Sequence, residues 1–367
     1  MAGTDHAPLS GLRVLDLSWL LPGPFFTGML ADLGADVLKV ERPGDGDYTR
    51  SLLPGMFTLV NRGKRSAVVD LRTDEGLATV LRLAERADVF VEGFRPGVVD
   101  RLGVGYEAVR AINPGIVYVS LTGYGQATTA AGEPGHDVNY CGRAGLLGIP
   151  ASAGQQGEPP RMQLPVSDLA GSMYAAVSTL AALRERDRTG AGQWLDVSLA
   201  QAALAWSAVR WADAPAQAGQ GWRHVNPAND TFASSDGVRL AVALVEPHFW
   251  EAFVHAMPAA QQERIEGAGA DPAARFEALR VVFASRTAAQ WHDLAKTHDL
   301  PISRVATSFD DVLADPLFTE RDAWIEGAPG SRSPAFPVRL RGMPRHAQAP
   351  GMGEATPSLD RLWEALA

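Results

Sequence analysis

Two residues of this chain have the chemistry needed to move a proton, and each lies beside a Gly- or Pro-marked break. His136 lies in Gly135-His-Asp-Val-Asn-Tyr140, and Asp168 follows Gln163-Leu-Pro-Val-Ser167. A neutral imidazole can take a proton near neutral pH, and a carboxylic acid whose pKa is raised by burial can return one to the opposite face. Two titratable groups in unlike surroundings can divide these roles. Proton transfer is therefore a hypothesis, and a loop histidine and an N-cap aspartate are the commoner uses of the same residues.

Composition restricts the classes of protein to consider. The 367 residues are 46% hydrophobic and 20% charged, as in globular proteins with a substantial core. The formal net charge of −9 argues against a general nucleic-acid binder, which needs clustered positive charge. No apolar run reaches the roughly 18 residues of a membrane span, and residues 1–10 do not resemble a secretory signal. With Cys141 as the single cysteine, these features predict a cytoplasmic protein without a membrane partner.

Short apolar runs alternate with helical periodicity along the first 200 residues. The predicted strands cover 12–17, 35–40, 66–71, 88–92, 115–121 and 194–198. This alternation predicts an α/β fold with a doubly wound, Rossmann-like parallel sheet and helices on both faces. Ligands of such sheets bind beyond the carboxyl ends of the strands, where the loops carry Arg42 and Arg95. No G-x-G-x-x-G follows the first strand, so a conventional dinucleotide site is not supported.

A change in composition after residue 211 predicts a second domain. Residues 212–229 are rich in Ala, Gln, Gly and Pro and indicate a linker. Ser235-Asp-Gly237 lies between two strand-like runs, which is typical of a hairpin, and helical runs follow. We therefore expect a large domain at 1–211, a smaller α+β domain at 230–325, and a C-terminal segment, 326–367, that completes the large domain.

Positive charge is concentrated in one part of this acidic chain. Residues 39–65 contain six basic side chains against three acidic ones. Such a segment suggests a site for a small polyanion, while a solvated surface of mixed charge is the simpler alternative. The histidine pairs 248/255 and 292/298 lack a persuasive metal-ligand spacing, so no metal is predicted.

Several motifs together resemble those of the family III CoA-transferase (CaiB/BaiF) superfamily, and most closely the α-methylacyl-CoA racemases. They are Gly11-Leu-Arg-Val-Leu-Asp-Leu17, Gly23-Pro24, Leu30-Ala-Asp-Leu-Gly-Ala-Asp-Val37, Val40-Glu-Arg-Pro-Gly44, Asn61-Arg-Gly-Lys-Arg-Ser66, Phe94-Arg-Pro-Gly97 and Ser120-Leu-Thr-Gly-Tyr-Gly125. Any one motif is weak, but their combination in this order is specific and covers nearly the whole chain.

The resemblance implies an acyl-CoA substrate, with no cofactor beyond its CoA moiety. Arg42 and Arg95, with Lys64 and Arg62, would contact the nucleotide and phosphates of CoA, since guanidinium groups suit phosphate oxygens and lysine acts as a point charge. The resemblance also implies an interlocked homodimer in which two large and two small domains are threaded together by the linkers.

Within this superfamily, His136 favours the racemase branch. The segment Gly135-His-Asp-Val-Asn-Tyr140 resembles the racemase form, as does Val245-Glu-Pro-His-Phe249. The resemblance then implies that His136 and Asp168 exchange a proton at the carbon next to the thioester, through an enolate held by the backbone N–H of Asp137. Glu246 would support His136 from the partner subunit, and Tyr140 would border the pocket.

Other readings of the same residues stay open. A CoA-transferase would use Asp168 as a nucleophile, passing through anhydride and aspartyl-CoA intermediates, and would not need His136. A silent CoA-binding or scaffold protein would bind CoA without reaction. Glu246 and Tyr140 could instead be a helix-start acid and a core aromatic. The acyl chain is not identified, because the shape of an apolar pocket depends on packing.

Overall fold

The computed structural model describes residues 6–148, 163–212, 226–327 and 332–363 of the chain. They form two compact units. The first unit draws on 1–144, 163–206 and 317–367, and the second on 145–162 and 207–316. The predicted linker, 212–229, lies mostly outside the described residues. The C-terminal part of the first unit begins at Leu317, earlier than the predicted boundary at 326.

A six-stranded parallel sheet forms the centre of the first unit. Its strands are β1 (Arg13–Asp16), β2 (Asp36–Glu41), β3 (Arg65–Val68), β4 (Val89–Glu92), β5 (Val117–Thr122) and β6 (Gln193–Ser198). The spatial order is β3-β2-β1-β4-β5-β6, with every neighbouring pair parallel. This confirms the predicted doubly wound parallel sheet. The order reverses between β1 and β4, where such sheets leave a crevice at the carboxyl ends of their strands.

The central strands are apolar on both faces because helices cover both sides. On one face, Leu15, Leu38 and Phe90 pack in a cluster with residues of the helix that follows β3. On the other face, Val14 and Val89 pack in a second cluster. Each face thus has its own hydrophobic core, and the continuous apolar runs of the sequence follow from this double burial.

The helices of this part of the chain alternate with the strands. They are α1 (Pro22–Asp32), α2 (Thr49–Leu52), α3 (Pro54–Asn61), α4 (Asp74–Arg86), α5 (Val98–Arg101), α6 (Tyr106–Ile112), α7 (Asp137–Arg143), α8 (Val166–Thr189) and α9 (Leu199–Trp211). The Thr73 hydroxyl caps α4 by accepting from the backbone N–H of Gly76 at 3.0 Å, as the sequence predicts. Helices α1 and α8 pack together on one face of the sheet, while α4 and α6 pack together and share the cluster on the other.

Helix α8 is long and apolar enough to cross a membrane by length and composition alone. Half of the most apolar 18-residue stretch of this helix is nevertheless buried inside the protein. The last turns of the helix carry the charged run from Arg184 to Arg188. Ala175 and Ala182 belong to the core between the sheet and α1. Its apolar character therefore has a structural explanation as a core helix.

The second unit has its own sheet and core. Its strands β7 (Asn229–Ala233), β8 (Arg239–Ala243) and β9 (Ile302–Arg304) form an antiparallel sheet. Its helices are α10 (Pro247–His255), α11 (Ala259–Gly267), α12 (Pro272–Phe283), α13 (Ala288–His298) and α14 (Phe309–Ala314). Phe232, Phe253, Phe283 and Trp291 are all fully or almost fully buried in its core, where neighbouring aromatic rings stack.

The C-terminal segment covers the β3 edge of the large sheet. It contains α15 (Pro316–Glu320), β10 (Trp324–Glu326) and β11 (Arg332–Pro334). Further on, the backbone N–H of Ala355 donates to the carbonyl of Ser66 at 2.8 Å, and the Trp363 indole donates to Asp36 at 2.8 Å. An exposed edge strand can pair with another chain, and the returning C-terminal segment covers this edge.

Candidate active site

His136 is placed by the start of helix α7. It is the N-cap residue, with an extended backbone, and its backbone N–H donates to Asn139 Oδ1 at 3.0 Å. This bond fixes the backbone just before the helix, while the side chain is exposed. The imidazole is therefore held on a defined backbone but is open to a ligand.

Asp168 lies in the first turn of helix α8. The helix begins at Val166, with Pro165 at the N-cap, so the alternative that Asp168 is the N-cap is wrong. Ser172 Oγ lies 2.7 Å from the carbonyl oxygen of Asp168 and 2.6 Å from that of Pro22. This hydroxyl ties the first turn of α8 to the start of α1, near the carboxyl end of β1.

The carboxylate of Asp137 joins the two helix starts. Its Oδ1 accepts from the backbone N–H of Ser167 at 2.7 Å, from the Ser167 hydroxyl at 2.5 Å and from the backbone N–H of Asp168 at 3.3 Å. Because Asp137 directly follows His136, this contact brings the two predicted proton-transfer residues to adjacent helix ends. The family resemblance implies a role for Asp137 only through its backbone N–H.

The surroundings of Asp168 disfavour its charged form. Burial, with a further contribution from the negative charge of Asp137, raises the pKa of Asp168 to about 7. The carboxyl is consequently divided between its protonated and ionised forms near neutral pH. A carboxyl in this condition can both give and take a proton under physiological conditions.

Tyr140 supports the loop that carries His136. Its hydroxyl donates to the carbonyl of Gly135 at 2.5 Å. Its ring packs against two glycines so closely that a Cβ on Gly123 would lie 2.5 Å from the ring, and one on Gly135 2.7 Å. Only glycine fits at these two positions without a shift. Tyr140 thus has a clear packing role here, and its predicted place at a substrate pocket stays a prediction.

Arg95 brings positive charge to the same group of residues. Burial, together with the charge of Asp168, raises the pKa of Tyr140 to about 12, and Arg95 acts in the opposite direction. The side chain of Arg95 is exposed and makes no hydrogen bond or ion pair in the described parts of the chain. Its guanidinium is therefore available for an anionic ligand near Tyr140 and Asp168.

Lys64 occupies a different position from the one predicted. Its ammonium is fully buried and lies 3.2 Å from Asp16 Oδ2. It also lies 2.9 Å from the Pro24 carbonyl, 2.7 Å from Thr27 Oγ1 and 2.9 Å from Asn61 Oδ1. With all its donors engaged inside the protein, Lys64 does not support the predicted contact with a phosphate.

Arg62 is likewise an internal residue. Only 6% of it is exposed, and its guanidinium pairs with Asp32 at 2.8 Å and donates to the Leu59 carbonyl at 3.3 Å. This geometry does not support the predicted phosphate contact either. The same reason applies to both residues, because counting basic residues along 39–65 ignores acidic partners contributed by β1 and α1.

Arg42 lies beside a cavity at the carboxyl ends of the first strands. Its guanidinium carbon is 5.1 Å from the ring centre of Trp19 and 4.4 Å from that of Tyr48. The cavity has a volume of about 480 Å³. It is lined by Leu17, Trp19, Val40, Glu41, Arg42, Pro43, Gly44, Asp45, Val69, Asp70, Leu71, Arg72, Phe94 and Leu102. Such a cavity, with aromatic and guanidinium groups, suits a flat heteroaromatic ring with nearby negative charge.

Arg72 also lines this cavity, and the sequence analysis missed it. It lies in the loop after β3, paired with Asp70 at 2.8 Å. The predicted third strand extended to residue 71, whereas β3 ends at Val68. Arg72 follows the carboxyl end of the strand with either boundary, and this place in the loop is the signal that could have identified it.

Glu246 belongs to the second unit, where it is the exposed N-cap residue of α10. Its predicted support of His136 stays a prediction. In the residues that the structure describes, no three His, Cys, Asp or Glu side chains are grouped as a metal site requires.

Comparison with known proteins relates this geometry to acyl-CoA chemistry. A family model described as CoA-transferase family III matches residues 9–356. The α-methylacyl-CoA racemase of Homo sapiens is 32% identical, over 95% of this chain and 91% of the racemase. The acetyl-CoA:oxalate CoA-transferase of Acetobacter aceti is also 32% identical, over 98% of this chain and 95% of the transferase. A crystal structure of a CaiB/BaiF family protein from Brucella suis superposes with a TM-score of 0.83 at 29% identity, covering 97% of this chain and 99% of that one.

Proposed function

The chain belongs to CoA-transferase family III, and we propose that within this family it racemises or epimerises 2-methylacyl-CoA thioesters at the carbon next to the carbonyl. The observation that carries this choice is the carboxyl group of Asp168. The pKa of this carboxyl is raised to about 7, and the backbone N–H of Asp168 donates to the carboxylate of Asp137, the residue that follows His136. An acid poised at neutral pH, beside a histidine, is what a reversible proton transfer requires.

The proposed reaction has two proton transfers and no covalent intermediate. The imidazole of His136 takes the α-proton from one enantiomer, and the electron pair of the broken C–H bond moves into the thioester to give an enolate. Protonated Asp168 then delivers a proton to the opposite face of the α-carbon, which inverts its configuration. In the reverse direction the ionised Asp168 is the base and the imidazolium the acid.

Two further groups would stabilise the charges of this reaction. The backbone N–H of Asp137 would donate to the enolate oxygen, as the family resemblance suggests. Glu246 would stabilise the imidazolium of His136 from the partner subunit. The substrate itself contributes the CoA group, so the proposed reaction uses no separate cofactor and no metal.

For CoA binding we propose Arg42 and Arg95 as the main contacts. Arg42 lies against two aromatic rings beside the cavity at the strand ends, which is suited to the adenine end of CoA. Arg95 is exposed, and its positive charge acts on Tyr140, so it lies near the proposed reacting groups. A free guanidinium there can hold a phosphate oxygen.

We also propose that the protein acts as a cytoplasmic homodimer. Helix α8 exposes Met173, Tyr174, Val177 and Leu180, at between 39% and 62% of their surface. These positions recur with helical spacing, so they form one apolar stripe on the outside of a helix whose other side is buried. A second copy of the chain would cover this stripe.

Acyl transfer is the second candidate, because the similar proteins include transferases as well as racemases. The transferase from Acetobacter aceti is as similar to this chain as the human racemase. In a transferase the ionised Asp168 would attack the thioester carbonyl and release CoA as a thiolate. A pKa of about 7 would leave much of this carboxyl protonated at neutral pH, which weakens a nucleophile but suits an acid.

Deuterium incorporation separates the two reactions. The purified protein is incubated in heavy water with (S)-2-methylacyl-CoA, and uptake at the α-carbon and formation of the R-epimer are followed by mass spectrometry and chiral analysis. We expect both in the parent, and a loss of roughly 10²–10⁴-fold in His136→Ala and in Asp168→Ala. His292→Ala, a change at an exposed histidine of the second unit, is the matched control and should retain full exchange.

The opposite result has its own signature. Without exchange in the parent, acyl transfer to an added carboxylate, together with an aspartyl thioester at Asp168 that hydroxylamine traps, would establish the transferase. In that case His136→Ala should retain most of the transfer activity, because transfer does not use the imidazole.

A further inference from the structure

We infer that the side chain of Asp137 is a positioning residue for the proposed proton transfer, holding the first turn of α8, and with it Asp168, in a fixed place beside His136. This inference rests on the proposed function for its kinetic consequences. The family resemblance implies a role for the backbone N–H of Asp137, whereas this inference concerns its side chain.

Capping of helix α8 from another helix is the first observation. The first turn of any α-helix leaves backbone N–H groups without partners inside the helix, and a side chain at the N-cap usually satisfies them. In α8 the N-cap residue is Pro165, which has no side-chain acceptor. Asp137 Oδ1 instead accepts from the backbone N–H groups of Ser167 and Asp168, and also from the Ser167 hydroxyl.

The location of this cap makes it more than a helix-stabilising contact. Asp137 directly follows His136 in the chain and belongs to the first turn of α7. Its Oδ2 faces the Cys141 thiol at 3.6 Å, so both carboxylate oxygens are engaged. One side chain therefore links the start of α7, which carries His136, to the first turn of α8, which carries Asp168.

A neutral cap would serve the helix equally well, yet the residue here is charged. Asn accepts hydrogen bonds at helix starts about as well as Asp. A carboxylate at this position disfavours ionisation of Asp168, whose pKa is raised first by burial and then by Asp137. The other titratable groups around this contact are Tyr140 and Cys141 on α7, and Arg95 from the loop after β4, which acts on Tyr140. Asp137 therefore combines position with charge.

Two substitutions separate these contributions. Asp137→Asn keeps an acceptor oxygen for the first turn of α8 and removes the negative charge. Asp137→Glu keeps the charge and displaces the carboxylate by one methylene. Asp88→Asn is the matched control, because Asp88 is a half-buried acceptor for Arg13 and Arg186 at the amino end of β4, away from α7.

The pH profile of α-proton exchange is the kinetic test, measured in the direction that requires protonated Asp168. For Asp137→Asn we expect the basic limb of kcat to move to lower pH, with a roughly tenfold loss near pH 8 and less than about threefold near pH 6, since the acid form is lost earlier. For Asp137→Glu we expect a lower kcat at every pH and an unmoved limb. Neither change should raise KM as strongly as it lowers kcat, and Asp88→Asn should match the parent.

Chemical labelling of Asp168 tests the inference without relying on activity. A water-soluble carbodiimide with an amine acceptor modifies protonated carboxyls, and peptide mass spectrometry reports the extent at Asp168 relative to exposed Asp45. The parent should show a labelling midpoint near pH 7, and Asp137→Asn a lower one. If this variant does not fold, Asp137→Glu still tests positioning, since it must lower kcat while leaving the midpoint in place.

The outcomes distinguish this inference from the proposed function. No exchange in the parent, with the labelling midpoint still moved by Asp137→Asn, would remove the racemase proposal and leave the coupling of Asp137 to Asp168 standing. Normal exchange in the parent, with neither the pH profile nor the midpoint moved by Asp137→Asn and kcat unchanged in Asp137→Glu, would overturn the inference.

Discussion

Two groups of acidic side chains in the first unit are neutralised in opposite ways. Asp16 and Asp47 are fully buried, but Lys64 lies 3.2 Å from Asp16 and Lys39 lies 2.9 Å from Asp47. At the start of α8, the carboxyl of Asp168 instead lies near enough to Asp137 for the negative charge of Asp137 to act on it. Burial alone would raise the pKa of Asp16, yet Lys64 and Lys39 hold it below its ordinary value, whereas the pKa of Asp168 rises to about 7.

The first group of charges stabilises the fold, whereas the second group is suited to a chemical role. The lysines of the first group also donate to backbone carbonyls, Lys39 to that of Ser18 in the loop after β1 at 2.7 Å and Lys64 to that of Pro24 in the first turn of α1 at 2.9 Å. Paired charges therefore organise the turn between β1 and α1. Two neighbouring carboxyls have no such benefit for stability, and unfavourable arrangements of this kind are concentrated at functional sites.

Glu92 shows that a raised pKa is insufficient by itself. Burial raises the pKa of Glu92 to about 7 as well. This residue, however, is completely enclosed at the end of β4, and its Oε2 accepts from the backbone N–H of Phe94 at 2.8 Å. A substrate has no access to such a carboxyl, whereas Asp168 is half-buried at a helix start. Accessibility must accompany the electrostatic condition.

Among the substitutions that test this difference, Lys64→Met should have the largest effect on the free energy of unfolding. The substitution leaves Asp16 buried without its main counter-charge, so we expect the free energy of unfolding to fall by about 3–5 kcal/mol. Urea denaturation followed by circular dichroism measures it, with Lys296→Met, an exposed lysine on α13, as the control. A change below about 1 kcal/mol would show that the buried pair does not contribute to stability as a paired charge should.

Asp168→Asn should have a smaller effect than Lys64→Met, and it should raise the free energy of unfolding instead of lowering it. In the folded protein the pKa of Asp168 is about 7, against an ordinary value of 3.8 for an aspartate side chain, so the carboxyl keeps its proton to higher pH than in the unfolded chain. Stability is therefore lost as pH rises through this window, because the native state binds more protons than the unfolded state. We expect the variant to be more stable than the parent by about 1–3 kcal/mol near pH 8, with the difference shrinking towards pH 4.

Urea denaturation at both pH values checks this expectation, and α-proton exchange should be lost in the same variant. Asp16→Asn is the informative counterpart, since it removes a carboxylate stabilised by two lysines and should destabilise near pH 8. Equal signs for the two substitutions would contradict the distinction between paired and unpaired carboxyls.

Much of the fold could be predicted because it depends on local pattern. The strands of the large sheet are apolar in succession since helices cover both faces, and Thr73 precedes a helix that it caps. The residues His136 and Asp168 were also identified from their types and their places beside chain breaks. The structure places them at the starts of two packed helices, α7 and α8.

Tertiary partners were the part that sequence could not provide. The charges of Lys64 and Arg62 suggested a ligand site, but Asp16 and Asp32 come from an earlier strand and helix and neutralise them internally. The start of α8 was misplaced for a similar reason, since its capping carboxylate belongs to Asp137 on another helix. Patterns within one segment do not reveal an acceptor contributed by a distant one.

Arg95→Ala should have the smallest effect on stability, and its main expected effect is on the binding of CoA. The side chain of Arg95 is exposed and has no hydrogen bond or ion pair among the described residues, so its loss should change the free energy of unfolding by less than about 0.5 kcal/mol. Its proposed contact with a CoA phosphate predicts instead a roughly five- to thirty-fold weaker Kd for CoA, measured by isothermal titration calorimetry. Arg101→Ala, at an exposed arginine at the end of α5, should leave both quantities unchanged. A destabilised Arg95→Ala with unaltered CoA affinity would instead place Arg95 with Lys64 and Arg62, among the cations that hold the fold together, and would leave Arg42 as the cation proposed for CoA.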